Sequence, residues 1–358
     1  MAQPSCVRCR STRAEIDLGA LAHNLAVVRA HAGAARVFGV IKADAYGHGL
    51  TQVARRLIDA GADGLAVALV EEGLDLRAAG VEAPILVLNG LYGDGHDAVV
   101  DAGLTPCVYD DEDAAAFAAR GAGVHLKVDT SMTRLGVRDL DAFLDRHPTL
   151  RVDGLMTHLA DAEENPAATD AQLDAFEEAV ERVRARGHDP VRHAANSAGT
   201  LLRPRSRYDL VRAGVALYGV RPTRDSTLDL RAVMRLVAPV ARVAEVEAGT
   251  AVGYGRTWVA RRPSRIATVA IGYGDGYLRA LSNVGHAVVG GVRCPLAGRV
   301  SMDLIGVDVT DAPPVARGDD VVLIGPELRA EEVAEAAGTI AYEVLSAVSP
   351  RVPRIYGG

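Results

Sequence analysis

The sequence predicts an α/β protein in which an N-terminal (β/α)8 TIM-like barrel precedes a C-terminal, mostly-β domain. Three observations favour this class. Eight short apolar runs alternate with helical segments, Gly- and Pro-punctuated β runs follow from about Ala232, and 358 residues exceed the usual size of one domain. A doubly wound open sheet is disfavoured, because no Gly-x-Gly-x-x-Gly opens a helix after the first strand.

The predicted barrel strands are short runs rich in Val, Leu, Ile and Ala. They are Val37–Lys42, Gly64–Ala68, Ile85–Asn89, Leu104–Tyr109, Val124–Asp129, Val152–His158, Val191–Asn196 and Leu210–Val215. The helical segments between them include Leu50–Ala60, Glu71–Ala79, Asp111–Ala119 and Thr169–Arg186. Strands that alternate with helices pair in parallel, so the sequence predicts a closed barrel.

The predicted second domain contains five β runs and two helical stretches. These are Val237–Val246, Ile266–Ile271, Ala287–Val292, Leu304–Val309 and Val321–Ile324, with helices at Glu331–Ala337 and Tyr342–Val348. The boundary is expected within Arg221–Asp229. The prediction is therefore a barrel over residues 12–230 and a β domain over 231–358, with residues 1–16 as a candidate addition to the β domain.

Composition excludes several classes of function. The net charge of −7 argues against nucleic-acid binding. No apolar run approaches the roughly 20 residues that span a membrane, and the first ten residues lack the apolar core of a secretory signal, so we expect a cytoplasmic protein. The Cys6–Cys9 pair has no second pair or histidines nearby, which favours free thiols and no metal site.

Only two of the 39 basic residues are lysine, Lys42 and Lys127. Codon bias is one explanation. A chemical explanation is that arginine keeps its proton at working pH, whereas a buried lysine can lose it and act as a nucleophile. Both lysines follow apolar residues of predicted strands, so both are candidates for a position that needs a neutral amine.

Polar side chains at the C-terminal ends of the barrel strands converge on one mouth, where such barrels place catalysis. Lys42 ends the first predicted strand, where it could bond an aldehyde cofactor; a salt-bridged structural lysine is the alternative. Tyr46 and the glycines beside it could meet a phosphate. Lys127 is expected to point inward near Arg134, and two cations need an anion, either Asp129 or a modification of the lysine.

Further polar groups follow the sixth, seventh and eighth predicted strands. His158 follows the sixth, where a structural histidine is the commoner interpretation. Asn196 and Ser197 precede a short helix whose amides suit a phosphate, although the same residues also serve as an ordinary helix cap. In the β domain, Tyr254 and Tyr273 each lie in a Gly-flanked loop. Hairpin turns explain the glycines but not the tyrosines.

Taken together, these motifs resemble the alanine racemase family. They are Lys-Ala-Asp-Ala-Tyr-Gly-His-Gly from Lys42, Lys-Val-Asp-Thr-x-Met-x-Arg-Leu-Gly from Lys127, His-x-x-Asn-Ser from His193, Val-Arg-x-Gly from Val211, Gly-Tyr-Gly-Arg-Thr from Gly253, Gly-Tyr-Gly-Asp-Gly from Gly272, Ser-Met-Asp from Ser301 and Arg-Val-Pro-Arg-Ile-Tyr from Arg351. The resemblance runs in order over nearly the whole chain. It implies a pyridoxal-phosphate-dependent racemase of fold type III, a head-to-tail homodimer with shared active sites, and a D-alanine product used for peptidoglycan.

The resemblance also implies roles for individual residues. Lys42 is similar to the lysine that holds the cofactor as an imine and acts as one base. Tyr254 is similar to the opposing base, which is contributed to the partner's site. Arg134 would contact the cofactor's phenolic oxygen and the substrate carboxylate, with help from the Met302 backbone, and Tyr273 would narrow the entrance.

The remaining implied roles concern the cofactor. Arg212 would face the pyridine nitrogen, backed by His158, which relays to Tyr254. Lys127 corresponds to a lysine that is often carbamylated in this family, which would supply the missing anion. The implied phosphate-binding residues are Tyr46, Ser197, Gly214, Val215 and Tyr356, and Asn196 is a further candidate cofactor-binding residue.

Two positions depart from the family pattern: Ser131 replaces a usual glycine, and Asp44 stands where asparagine is commoner. Neither removes a catalytic group. Three alternatives stay open: a racemase of broader specificity for serine or basic amino acids, a decarboxylase of related fold, and a non-catalytic cofactor-binding barrel. Arg212 in place of a carboxylate disfavours the decarboxylase, and the second domain with Tyr254 disfavours the non-catalytic protein.

Overall fold

The computed structural model describes residues 10–223 and 226–358. They form two compact units: Leu21–Leu230, and Arg231–Gly358 together with the described N-terminal residues up to Ala20. Each unit is treated below by itself. Cys6 and Cys9, and Arg224 and Asp225 of the predicted boundary segment, lie outside the described residues.

The first unit is a barrel of parallel strands. After β1 (Arg13–Asp17), which belongs to the other unit, come β2 (Arg36–Val40), β3 (Gly64–Val67), β4 (Ile85–Val87), β5 (Thr105–Val108), β6 (Gly123–Lys127), β7 (Arg151–Met156), β8 (Val191–His193) and β9 (Leu210–Ala213). In the described chain these eight strands form one sheet, ordered β8-β7-β6-β5-β4-β3-β2-β9. The Arg212 amide also donates to the Ala195 carbonyl at 3.0 Å, which links β9 to the segment after β8. The predicted (β/α)8 barrel is confirmed.

Helices connect the barrel strands. They are α1 (Leu18–Ala32), α2 (Lys42–Gly47), α3 (Leu50–Asp59), α4 (Val70–Ala78), α5 (His96–Asp101), α6 (Asp111–Ala119), α7 (Leu140–Arg146), α8 (Pro166–Ala185) and α9 (Ser197–Leu202). Side-chain caps fix where several begin: Asp110 accepts from the Asp113 amide before α6, and Asn165 accepts from the Ala168 amide before α8. The four named helical predictions are confirmed as α3, α4, α6 and α8.

The barrel interior is polar towards the mouth. On β6, His125 contacts His193 of β8, and Lys127 is almost fully buried. Thr157, which follows β7, and Arg212 on β9 are buried as well. Buried polar groups are costly unless they are paired or serve chemistry, so this end of the barrel is the place to look for a site.

The second unit is mostly β. Its further elements are β10 (Met234–Val246), β11 (Ala251–Val252), β12 (Trp258–Val259), β13 (Ser264–Val269), β14 (His286–Val289), β15 (Val292–Pro295), β16 (Ile305–Asp308), β17 (Asp320–Ile324), α10 (Ala330–Ala337), α11 (Ala341–Ser346) and β18 (Arg354–Gly357). The long strand β10 pairs with β1, β13 and β17, and its register shifts beside both β13 and β17. Such irregularities bend a strand, which lets β10 take part in two stretches of sheet. The predicted mostly-β domain is confirmed.

Five strands of this unit were not predicted: β11, β12, β15 and the two terminal strands β1 and β18. β1 lies antiparallel to β10, and β18 lies parallel to β1, with Ile16 opposite Tyr356. Both are short and carry charged residues, which hides the alternation of a strand. None of the helices in the described ranges has the length and apolarity needed to cross a bilayer.

Candidate active site

Lys42 lies two residues beyond β2, past the C-terminal end of that barrel strand. The next four residues, Ala43–Tyr46, have φ values of 52° to 54°, which is left-handed backbone. Non-glycine residues pay roughly 1–2 kcal/mol each in that conformation. The turn that presents Lys42 therefore has to be held by its surroundings.

Two carboxylates hold this turn. Glu72 accepts hydrogen bonds from the Ala43 amide at 2.6 Å and from the Ala68 amide at 2.8 Å. Asp44 accepts from the Leu50 amide at 2.7 Å, which joins the turn to the start of α3. Asp44, one of the two departures from the family pattern, thus has a structural use here.

The Lys42 amine is partly buried and lies among cations. Burial lowers its pKa below the ordinary value, Arg134 lowers it further, and Glu72 acts in the opposite direction. A lysine that loses its proton more easily is a better nucleophile and a better proton acceptor.

Lys127 lies in a still more restrictive environment. Its pKa falls to about 8, chiefly through burial; the Cys107 thiol opposes this effect, and Arg212, Arg134 and Lys42 add to it. In the described part of the chain, the side-chain amine of Lys127 makes no hydrogen bond or salt bridge. A buried cation without an anion is unfavourable, so this amine is under pressure to become neutral or to be modified.

Asp129 is engaged elsewhere. Its carboxylate binds Arg138 at 3.0 Å and accepts from the amides of Ser131 at 3.1 Å and Thr133 at 2.9 Å. These bonds shape the loop that leads to the exposed Arg134. Of the two anions considered for Lys127 from the sequence, the side chain of Asp129 is therefore not its partner.

Arg212 is buried and fixed by several acceptors. Its Nη1 donates to His193 Nδ1 at 2.9 Å and to the His193 carbonyl at 3.0 Å. Its Nη2 donates to the carbonyls of Thr157 at 2.8 Å and Ala194 at 3.0 Å, and lies 3.3 Å from His158 Nδ1. Burial lowers the pKa of Arg212 to about 10, so the guanidinium keeps its charge at neutral pH.

One N–H of Arg212 is left for another partner. Each terminal nitrogen carries two hydrogens, and the acceptors above account for all four. Within the residues that the structure describes, Nε has no hydrogen-bond partner. Burial lowers the pKa of His158 well below its ordinary value, and Arg212 and the neighbouring cations lower it further. His158 therefore faces Arg212 as a neutral ring.

The candidate phosphate residues of the barrel come together at the ends of β8 and β9. Ser197 Oγ accepts from the amides of Gly214 at 2.9 Å and Ala216 at 3.2 Å. Asn196 accepts from the Gly199 amide at 2.8 Å and so caps α9. In this structure the Asn196 side chain thus has a capping contact.

Gly214 lies directly against Tyr46. A Cβ at Gly214 would lie 2.6 Å from the Tyr46 hydroxyl oxygen, so no other residue fits without displacing that ring. Val215 opens the 3-10 turn Val215–Tyr218 that follows. The structure thus brings Tyr46, Ser197, Gly214 and Val215 into one neighbourhood, which combines hydroxyl groups with backbone amides.

The other predicted residues lie in the second unit. Tyr254 is 72% exposed at the start of the 3-10 turn Tyr254–Arg256. Tyr273 and Met302, 43% and 54% exposed, lie on neighbouring loops, because the Tyr273 amide donates to the Ser301 carbonyl at 3.0 Å and the Gly274 amide to the Met302 carbonyl at 2.9 Å. Tyr356 lies on the edge strand β18.

The predicted residues thus form two groups, one in each unit. In the barrel, Arg134 lies close enough to Lys42, Lys127 and His158 to lower their pKa values, and Arg212 lowers those of Lys127 and His158 as well. In the β unit, Tyr273 and Met302 are adjacent. The side-chain chemistry of the barrel group, an activated amine beside several cations, suits an anionic carbonyl ligand.

Three residues that shape this group were not among the predicted site residues: Glu72, His193 and His125. The contact of Glu72 could have been predicted, because a glutamate in the first turn of a helix often accepts hydrogen bonds from backbone amides near the helix start. His193 was quoted within a motif but given no role. His125 carried no signal, because its contact with His193 depends on a separation of 68 residues.

Family models match both units of the chain. The model described as "Alanine racemase, N-terminal domain" matches residues 16–222, and "Alanine racemase, C-terminal domain" matches residues 233–356. A relative called alanine racemase in Sorangium cellulosum (strain So ce56) is 46% identical, covering 97% of this chain and 99% of its own.

Solved structures are also similar. A biosynthetic alanine racemase from Pseudomonas aeruginosa is 40% identical with a TM-score of 0.89, covering 98% of this chain and 100% of its own. An alanine racemase from Bartonella henselae with covalently bound pyridoxal phosphate is 34% identical with a TM-score of 0.90, covering 97% and 100%. With the order of motifs, the barrel site and both domains in agreement, the chain belongs to the alanine racemase family.

Proposed function

We propose that this chain interconverts L- and D-alanine, with pyridoxal 5′-phosphate (PLP) bound covalently to Lys42. One observation carries the proposal: the cations Lys42, Lys127, Arg134 and Arg212 gather at the barrel mouth, and among the described residues neither lysine has a salt bridge. A phosphorylated aldehyde and an amino-acid carboxylate bring the anionic charge that this site lacks.

The residues present fit PLP. The Nε–H of Arg212 is available for the ring nitrogen, and Lys42 provides an amine with a lowered pKa for the aldehyde. The Tyr46 and Ser197 hydroxyls and the Val215 amide suit the phosphate. Gly214, whose amide already donates to Ser197 Oγ, is a candidate through its lack of a side chain, and Tyr356 and Asn196 are further candidates. The solved relative from Bartonella henselae carries covalently bound PLP, which supports PLP as the cofactor of this chain.

The cofactor supplies an electron-withdrawing ring that acidifies the Cα–H of an attached amino acid. Racemisation removes that proton from one face and returns a proton to the other, so two proton carriers must flank Cα. Lys42 and Tyr254 take these two positions in the proposal. A cation at Arg212 disfavours protonation of the ring nitrogen, which limits the electron withdrawal and so disfavours side reactions.

Arg134 and Lys127 complete the substrate side of the site. We assign the substrate carboxylate and the phenolic oxygen of the cofactor to Arg134, with the Met302 backbone as a second carboxylate contact. Carbamylation would convert Lys127 from an unpaired cation into an anion beside Arg134. Tyr273, next to Met302, would narrow the substrate entrance.

The proposed assembly is a homodimer in which Tyr254 of each protomer serves the site of the other. Its high exposure within its own unit supports this role, because a residue offered to another subunit must lie at the surface. The product D-alanine would serve peptidoglycan synthesis. A broader specificity for serine or basic amino acids is the second candidate, since the exposed loops of Tyr273 and Met302 would set the space for the side chain.

The proposal is tested by incubating the PLP-loaded protein with L-alanine and separately with L-serine, followed by chiral chromatography. We expect D-alanine to form much faster than D-serine. Lys42→Ala should abolish the product and the borohydride-reducible link to PLP, and Lys127→Arg should keep that link. A reducible link on Lys127, or equal rates on both substrates, contradicts the assignment.

A further inference from the structure

Behind Arg212, two histidines continue the hydrogen-bonded chain deeper into the barrel. His193 Nδ1 lies 2.9 Å from Arg212 Nη1, and His193 Nε2 lies 2.8 Å from His125 Nδ1. His193 is fully buried and His125 nearly so. The intervening strand β7 has Gly154 at this point, where a Cβ would lie 2.5 Å from the His125 ring. The missing side chain gives the ring room to reach His193.

The chain fixes the position of each proton. A guanidinium only donates hydrogen bonds, so His193 Nδ1 must accept and the proton of that ring is on Nε2. The Nε2–H then donates to His125, whose Nδ1 accepts and whose own proton is on Nε2. Both tautomers thus follow from a single fixed donor, Arg212.

An additional proton on either histidine would break this arrangement. It would set two N–H groups against each other, either between the rings or between His193 and Arg212. Burial, followed by His125 and Arg212, lowers the pKa of His193 well below its ordinary value. Burial also lowers the pKa of His125 to about 4, which Asp153 opposes and Arg36 and Arg212 support. Both rings therefore stay neutral in the working range.

We propose that His193 and His125 are positioning residues that hold the Arg212 guanidinium so that its Nε–H points to the cofactor ring. This inference rests on the proposed function. His193 accepts hydrogen bonds from both N–H groups of Arg212 Nη1, one at its ring nitrogen Nδ1 and one at its backbone carbonyl. His125 keeps the His193 ring in the accepting tautomer. Without that acceptor the guanidinium could turn, and the cation would no longer be fixed beside the ring nitrogen.

The first test observes the protons directly. The PLP-loaded protein, with its histidines labelled with ¹⁵N, is studied by NMR between about pH 6 and 9. His125→Asn and His193→Asn, each of which removes one ring, assign the signals. We expect both rings to carry the proton on Nε2 and neither to titrate. A proton on Nδ1 of either ring, or a titration within this range, overturns the chain.

The second test separates the two contacts of His193. In His193→Asn, Oδ1 replaces Nδ1, so the acceptor for Arg212 is kept while the donor to His125 is lost. His193→Leu loses both contacts. Because His193→Leu removes a charge-assisted hydrogen bond that His193→Asn keeps, we expect kcat to fall by about tenfold or more in His193→Leu and only a few-fold in His193→Asn.

If His193 and His125 only stabilised the fold, their replacement would not change the ratio of transamination to racemisation. We expect His193→Leu to raise the ratio of abortive transamination to racemisation by roughly tenfold, since one pKa unit at the ring nitrogen corresponds to that factor. His125→Asn, which keeps an acceptor, should retain the wild-type ratio, whereas His125→Leu should raise it. Phe176→Leu, a cavity variant in α8, controls for lost stability. An unchanged ratio in both leucine variants at positions 193 and 125 overturns the positioning role.

Failure of the proposed function gives a different pattern. If the wild-type protein binds PLP but racemises no amino acid, the proposed function is wrong. The absorption spectrum of the bound PLP still responds to the charge beside its ring nitrogen. A shift in His193→Leu, with less in His193→Asn, then supports the positioning role, and identical spectra overturn it.

Discussion

The Glu72 carboxylate accepts a 2.6 Å hydrogen bond from the amide of Ala43, the first residue after Lys42. The same side chain binds amides that precede α4. Glu72 therefore connects the left-handed turn after Lys42 to the next βα loop of the barrel. This contact explains how four consecutive non-glycine residues remain in a strained conformation at the proposed site.

Glu72→Gln should weaken this contact. Both carboxylate oxygens of Glu72 accept hydrogen bonds from backbone amides, and in glutamine an NH2 group would replace one of these oxygens and face an N–H donor. Glu72 is only half-buried, so a donor facing a donor costs on the order of 1 kcal/mol there, and we expect kcat/KM to fall several-fold. The exposed neighbour provides the control: Glu71→Gln should leave the rate unchanged. Equal rates in the two variants would show that Glu72 does not hold the turn.

Ser131→Gly should stabilise the protein. Ser131 has φ of 108°, a conformation that L side chains rarely adopt, and the resemblance to the family implies a glycine at this position. Relief of this strain is expected to be worth about 1 kcal/mol. Ser131→Ala keeps the strain, so the comparison of the two variants by urea unfolding isolates the effect. A glycine variant no more stable than the alanine variant contradicts the prediction.

Lys127 should carry a carbamate when bicarbonate is present. With ¹³C-labelled bicarbonate, NMR of the protein should show one carbamate signal that is absent in Lys127→Ala and present in Lys42→Arg. Because the chain has only these two lysines, the assignment is unambiguous apart from the chain terminus. A small carboxylate such as acetate should partly restore activity to Lys127→Ala. A wild-type spectrum without the signal rejects the modification.

Without bicarbonate, Lys127 should make stability depend on pH. Its pKa is lowered from 10.5 to about 8 in the folded chain, so between these values the unfolded chain binds more protons than the folded one. The free energy of unfolding should therefore rise as pH increases through this range. Lys127→Met lacks the group and should lack this part of the slope. If the free energy of unfolding depends on pH in the same way in both proteins, the pKa of Lys127 is not lowered.

The sequence predicted the barrel well because its strands are contiguous runs of Val, Leu and Ile between clear helices. β1 and β18 were missed because two short, charged terminal segments become strands only through pairing with each other and with β10. The turn at Ala43–Tyr46 could not be predicted, since no glycine marks it and tertiary contacts impose it. Likewise, the bond between His125 and His193 depends on the closure of the barrel.

In the proposed dimer, Lys42 and Tyr254 act on one substrate from different subunits. Lys42→Ala and Tyr254→Phe proteins, each inactive, are mixed in equal amounts under conditions that allow subunit exchange, and exchange is verified by mass spectrometry of tagged chains. Half of the dimers are then mixed, and each has one site with both groups and one with neither. Lys42→Ala mixed with the Lys42→Ala/Tyr254→Phe double variant is the control and should stay inactive.

The racemase activity of that mixture is the most direct measurement. We expect recovery to about a quarter of the wild-type specific activity, because half of the dimers each have one complete site of two. If the mixed dimers form and no activity returns, Lys42 and Tyr254 do not meet across an interface, and the shared active site is wrong.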